Sequence, residues 1–164
     1  MDKCRSEDVS FAAIVRLLLS SEEEEQINQQ SEHKCRRDRQ VLWSGIPREF
    51  AQARADHRNV QTLTTAMGPL MDTDHAHSVR SKKPSHGLSL YMKGASALFA
   101  RYVTRSAKVT VLSPPPQRFH PSGATNYQLV EEPILKGAIG SCSVGRIEMV
   151  HPTVEGAENF SYQY

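Results

Sequence analysis

Four residues of one short polar segment have side chains that can hold a divalent metal ion. Asp72 and Asp74 form an Asp-x-Asp pair, and His75 and His77 form a His-x-His pair. Carboxylates suit Mg²⁺ or Mn²⁺, whereas imidazoles suit Zn²⁺. The two pairs point to opposite sides of an extended chain, so one ion could collect all four side chains only if the chain turns. The segment is a candidate metal site, and a solvated polar loop is the alternative.

Two short motifs resemble parts of known enzyme families. Asp72-Thr73-Asp74 resembles the metal- and diphosphate-binding motif of nucleotide-sugar glycosyltransferases, which implies a metal-assisted transferase. The run from His151 to Gly156, His-Pro-Thr-Val-Glu-Gly, resembles the block that carries the catalytic histidine of SGNH-type esterases, where the histidine activates a serine. The Gly-Asp-Ser block of those esterases is absent here, and so is the aspartate before the histidine, Glu148 being the nearest carboxylate.

Charge is distributed unevenly along the 164 residues, although the formal net charge is only +2. Residues 1–40 contain nine acidic and seven basic residues, and residues 41–164 contain nine and thirteen. Near-neutrality argues against a dedicated nucleic-acid binder without excluding nucleic acid. No acidic residue lies between Asp74 and Glu131, a stretch that holds eight Lys and Arg residues. Such a stretch predicts a basic face that attracts phosphate groups, unless acids from elsewhere fold back onto it.

The elements that must position these side chains are predicted from periodicity and punctuation. The apolar residues from Leu88 to Val103 recur at helical spacing and predict one long helix. Beta-branched residues predict strands at 60–65, 108–113 and 144–150, each followed within a few residues by proline. Pro47 predicts the start of a helix that ends near His57. Thr125 or Asn126 is expected to cap a last helix that Pro133 kinks or divides.

The order strand, helix, strand, helix, strand predicts a small three-layer α/β domain with a short, mainly parallel sheet over residues 41–164. Ligands of such sheets bind beyond the carboxyl ends of the strands, so the loops after residues 66, 113 and 150 are expected to converge on a site. The expected ligand is an anionic, phosphate-bearing small molecule. Its predicted contacts are Lys82, Lys83, Ser113, Arg118 and His120, and His151 and His120 are the candidate catalytic residues of an enzymatic alternative.

Residues 1–40 are expected to form a helix and a charged, partly disordered arm. Ser10 is the predicted cap of a helix over 11–19, and residues 21–40 are either a solvated helix or disordered. The second alternative for the function is a protein-interaction module that works through this arm, residues 10–40. The apolar run at 11–19 is too short to span a membrane, which predicts a soluble protein. Three cysteines without metal-type spacing predict reduced thiols and a cytoplasmic or nuclear location.

Three segments, 62–72, 109–116 and 147–153, resemble blocks in uncharacterised proteins of filamentous fungi. The resemblance spans about residues 44–164 and implies no activity. It also implies that the chain ends early, shortly after its last predicted strand. A sheet shortened in this way is expected to expose an edge, which favours a partner or low solubility.

Overall fold

The computed structural model describes residues 9–72, 74–76, 78–80, 82–114, 124–140, 142–156 and 161–163. Its helices and strands follow in the order α1 (Val9–Leu18), α2 (Ser21–Lys34), β1 (Val41–Trp43), α3 (Arg48–Arg58), α4 (Leu63–Met67), a 3₁₀-helix (Gly68–Met71), α5 (Ser85–Val103), β2 (Lys108–Leu112), a π-helix (Tyr127–Glu131), α6 (Glu132–Leu135), β3 (Arg146–Val150) and β4 (Ser161–Gln163).

The sheet has the strand order β1-β2-β3-β4. Its first three strands are parallel, with Val41 opposite Thr110 and Lys108 opposite Arg146. The short β4 is antiparallel and pairs with the outer side of β3. The predicted α/β fold with a short, mainly parallel sheet is therefore confirmed.

Helices cover both faces of the sheet. Successive side chains of a strand alternate between the faces, and the strands place apolar residues on each face. On one face, Leu42, Val111 and Met149 pack with Phe99 of α5 and with Tyr127 of the π-helix. The other face packs against α3 in a smaller cluster, formed by Val41, Leu112 and Val150 with Ala51 and Ala55. The result is the three-layer arrangement that the order of elements predicts.

The predicted strand over 60–65 is wrong. Only Gln61 makes a single parallel bridge, to Gln40, and residues 63–67 form α4. The side chain of Thr62 accepts a hydrogen bond from the backbone N–H of Thr65 at 3.3 Å, which caps the helix and ends the extended conformation. The first parallel strand is instead β1, whose three residues are too few to give a periodic signal.

The two N-terminal helices pack on α5. Phe11, Val15, Leu19 and Ile27 are buried in one cluster with the middle of that helix. Residues 21–34 are helical, capped by the side chain of Ser20, so the helical alternative holds for that segment. Ser10 lies inside α1 and is not its cap, because the helix already includes Val9.

The cysteines differ from the prediction of three reduced thiols. Cys142 is disulfide-bonded, whereas Cys35 is a free thiol whose pKa burial raises to about 11. Cys4 lies outside the described residues. Cys142 and Phe11 line the same crevice, so the fold brings the beginning of α1 beside the loop before β3. Spacing along the chain cannot reveal a bond of this kind, because it depends on how the helices pack.

Within the described part of the chain, no helix combines the length and the apolar character that crossing a membrane requires.

Candidate functional site

A cavity of about 380 Å³ opens at the carboxyl end of β1. This volume lies in the range of pockets that hold small molecules. Most of its wall is apolar, and its position beyond a strand end is the one expected for ligands of parallel sheets. The polar and charged side chains of its wall are Ser44, Arg48, Thr64, Arg80, Ser96, Thr125, Asn126, Tyr127 and Glu131.

Hydrogen bonds fix the mouth of this cavity to the sheet. The backbone N–H of Ser44 donates to the carbonyl of Leu112 at 2.9 Å, which extends the pairing of β1 and β2 by one residue. The Ser44 hydroxyl lies 3.0 Å from the hydroxyl of Thr125. Thr125 in turn accepts the backbone N–H of Gln128 at 3.2 Å, and its own N–H donates to the Gln128 side chain at 3.1 Å. This reciprocal capping box confirms Thr125 as the predicted cap.

The helix that Thr125 caps begins with a π-helical turn. The N–H of Glu132 bonds to the carbonyl of Tyr127, five residues earlier. Pro133 has no N–H, so the α-helical bond from residue 133 back to Leu129 cannot form. The π-helix ends at Glu131 and the short α6 begins at Glu132, so Pro133 lies in the first turn of a second helix, which is one of the two predicted alternatives. Single π-helical turns occur frequently at functional sites.

Glu131, the last residue of the π-helix, places a buried carboxyl group in the wall of the cavity. The residue is 5% exposed, and its side chain hydrogen-bonds to Ser96 of α5. Burial raises the pKa of Glu131 to about 8, and the bond from Ser96 opposes this shift. No Lys, Arg or His among the described residues forms an ion pair with it. At neutral pH the carboxyl group is therefore mostly protonated.

Two arginines supply the positive charge of the cavity wall. Arg48 is the first residue of α3 and is exposed, whereas Arg80 precedes α5 and is half-buried. Among the described residues, neither guanidinium has an acidic partner within ion-pair distance. Both groups retain the donors that bind a carboxylate or a phosphate.

The basic stretch between Asp74 and Glu131 is partly paired by acids from elsewhere. Lys83 forms an ion pair of 3.3 Å with Glu23 of α2, and Lys108 forms one of 3.4 Å with Glu148. The ammonium group of Lys82 donates to the backbone carbonyl of Ala76. Lys82 and Lys83 do not line the cavity. Arg80 is the cation of this stretch that the described structure places in its wall.

Ser113 and His151 come together at the ends of β2 and β3. Nδ1 of His151 lies 2.8 Å from the backbone carbonyl oxygen of Ser113. Both residues are buried, and the hydroxyl group of Ser113 has no hydrogen-bond partner in the part of the chain that is described. Glu148 pairs with Lys108 and Arg146 and does not serve His151 as the esterase aspartate would. Neither Ser113 nor His151 lines the cavity.

In the segment of the predicted metal site, residues 72–77, the described residues Asp72, Asp74, His75 and Ala76 are exposed. The backbone N–H of Asp74 donates to the Asp72 carboxylate at 3.0 Å, which forms a tight turn. Over the described ranges, no group of three or more His, Cys, Asp and Glu residues is placed to hold a metal ion. His77 lies outside these ranges, as do Arg118 and His120, so the metal site and these two contacts stay predictions.

The sequence prediction missed the three charged residues of the cavity. Arg48 and Arg80 lie far apart in the sequence and carry no motif. Glu131 does have a signal: it lies at helical spacing with Tyr127, Val130 and Ile134, on the apolar stripe of the predicted helix. A charged residue on such a stripe is placed toward the core, where it shifts its pKa or finds a partner.

Comparisons with protein-family models, with curated proteins and with solved structures found no match to this chain.

Proposed function

We propose that this domain binds an anionic small molecule, bearing a phosphate group and an apolar portion, in the cavity at the end of β1. The observation that carries the proposal is the presence of two arginines without acidic partners, among the described residues, in the wall of one largely apolar cavity. The arginines hold the anionic group, and the apolar wall contacts the rest of the ligand.

The proposal keeps the ligand class and the strand-end position that the sequence predicts, and it changes the contacts. Lys83 is already neutralised by Glu23, and the ammonium of Lys82 is bound to a carbonyl. Arg80 and Arg48 therefore replace them as the principal contacts. Arg118 and His120 lie outside the described residues and stay predicted contacts, whereas Ser113 is buried and does not line the cavity.

The location of the protein is a separate question. The prediction of a cytoplasmic or nuclear location depended on reduced cysteines. The disulfide at Cys142 removes that argument, because stable disulfides are typical of oxidising compartments. Mass spectrometry of the protein from its source, alkylated before reduction, measures whether Cys142 is oxidised there.

Calorimetric titration with phenyl phosphate at pH 7 tests the binding proposal. Arg80→Gln is expected to weaken binding about tenfold, because a charge-assisted hydrogen bond at a half-buried site contributes roughly 1.5 kcal/mol or more. Arg48→Gln is expected to weaken it less, about three- to fivefold, because exposed charges are screened by solvent. Phenol, which has the same ring without the phosphate, is expected to bind far more weakly.

Arg39→Gln is the matched control, since Arg39 is an exposed arginine outside the cavity wall. It removes one positive charge from the chain while the cavity is unchanged. The proposal is contradicted if phenyl phosphate does not bind, or if Arg39→Gln weakens binding as much as Arg80→Gln. The second outcome would mean that the net charge of the protein, and not the cavity, attracts the anion.

A further inference from the structure

The cavity combines two positive groups with a buried acid, and no ion pair joins them within the described structure. Glu131 contacts Ser96, a neutral hydroxyl group, instead of a guanidinium. Its carboxyl group belongs to the wall of the same cavity as the two arginines, so it would share that cavity with any anion that they bind.

The charged and titratable groups that line this cavity come from three segments of the chain. Arg48 belongs to α3, Arg80 to the segment before α5, and Tyr127 and Glu131 to the π-helix. The wall residues of β1, α4 and α5 that the structure describes contribute no ionisable side chain. Glu131 is the carboxyl group among these side chains, and burial raises its pKa to about 8.

We propose that the cavity binds its anionic ligand with the carboxyl group of Glu131 protonated, so that binding in alkaline solution takes up a proton. This inference rests on the proposed function. A protonated carboxyl group can donate a hydrogen bond to an anionic oxygen, whereas an ionised one repels it strongly at low dielectric. Anion binding and protonation of Glu131 therefore favour each other, and by linkage each raises the affinity for the other.

The size of the effect follows from the titration of Glu131 in the free protein. With a pKa of about 8, the carboxyl group is mostly protonated at pH 7 and mostly ionised at pH 9. If the ionised form binds poorly, the dissociation constant rises roughly tenfold between these two pH values. Phenyl phosphate is a suitable probe because its second ionisation, near pH 6, is almost complete at pH 7.

The test is the dissociation constant of phenyl phosphate at pH 7 and pH 9 for the wild type and for Glu131→Gln. Glutamine is close to the protonated carboxyl group in shape and cannot ionise. The wild type is expected to lose about tenfold in affinity, and Glu131→Gln is expected to lose less than about twofold. Equal losses in both proteins would overturn the inference and leave the proposed function in place.

Proton uptake in the unmodified protein provides a second measurement, should Glu131→Gln not fold. Calorimetry of phenyl phosphate binding at pH 9, in buffers of different ionisation enthalpy, is expected to show uptake of close to one proton per ligand, by the linkage relation. Uptake near zero would overturn the inference, although binding itself would still support the proposed function. An absence of binding at both pH values would overturn both.

Discussion

Two glutamates, Glu23 and Glu131, are withdrawn from solvent beside the long helix α5, and they have opposite surroundings. The Glu23 carboxylate lies 3.3 Å from the ammonium group of Lys83, which also lies 5.8 Å from the ring centroid of Tyr91. Glu131 is more deeply buried. Its carboxyl group hydrogen-bonds to the hydroxyl group of Ser96 and forms no ion pair with any described residue. The first acid is compensated within the fold, while the second is compensated by holding a proton.

This difference separates a structural charge from the carboxyl group that we propose takes part in ligand binding. The negative charge of a paired carboxylate is compensated by its partner, as Lys83 compensates Glu23. An acid kept neutral by burial, in the wall of a cavity, can exchange its proton when a charged ligand enters. Both residues are glutamates, so the difference between them arises from the side chains that the fold places beside each one.

The largest expected effect is on the pH dependence of stability. The pKa of Glu131 rises from its ordinary 4.5 to about 8 on folding, so the native state binds a proton that the unfolded chain releases. Stability is therefore lost as pH rises from about 4.5 to about 8, by on the order of 5 kcal/mol, and then levels off. Glu131→Gln is expected to remove this loss.

Urea unfolding at pH 5, 7 and 8.5 measures the difference between the two proteins. Glu131→Gln is expected to be close to the wild type in unfolding free energy at pH 5 and more stable by a few kcal/mol at pH 8.5. If the difference in unfolding free energy between Glu131→Gln and the wild type is the same at all three pH values, Glu131 does not hold a proton in the folded protein as described.

A smaller, pH-independent effect is expected for the Glu23 pair. Glu23→Gln is expected to cost about 1 to 2 kcal/mol, because Lys83 loses its partner while both side chains are mostly shielded, at 19% and 30% exposure. A double-mutant cycle with Lys83→Met isolates the coupling between the two residues, expected at about 1 kcal/mol throughout pH 6 to 9. A coupling energy of zero would mean that the pair contributes nothing to the fold.

The smallest effect is expected for Ser96→Ala. The hydrogen bond from Ser96 lowers the pKa of Glu131, so its removal raises that pKa further. The pH at which the Glu131 carboxyl group titrates, followed by carbon-13 NMR, is expected to move upward, with a change in stability of about 1 kcal/mol or less at pH 5. An unchanged or lower titration midpoint would show that Ser96 does not bind the carboxyl group.

Much of the architecture could be predicted from local pattern. The long apolar stripe of α5 and the β-branched runs of β2 and β3 are strong signals, and each element formed near its predicted position. The first strand was misplaced, because β1 has only three residues, whereas the run at 60–65 is richer in β-branched residues. There the cap at Thr62 outweighed the β propensity of the run.

The site was less predictable than the fold. The rule that ligands bind beyond the strand ends agrees with the position of the cavity at the end of β1, although the loops after residues 113 and 150 do not line it in the described structure. The residues of its wall come from segments distant in sequence, so no spacing could connect Arg48 with Arg80. Lys82 and Lys83 were predicted as ligand contacts because they are basic residues close together in the sequence. Their partners, the Ala76 carbonyl and the Glu23 carboxylate, are visible only in the folded chain.

We propose that the cavity at the end of β1, and not the segment that contains Lys82 and Lys83, binds the anion. Titration of nitrogen-15-labelled protein with phenyl phosphate at pH 7, followed by two-dimensional NMR, tests it most directly. The largest shifts are expected at Ser44, Gly45 and the side chain of Arg80, and Arg80→Gln is expected to reduce them. Largest shifts at Lys82 and Lys83, with those of the cavity wall unchanged, would contradict it.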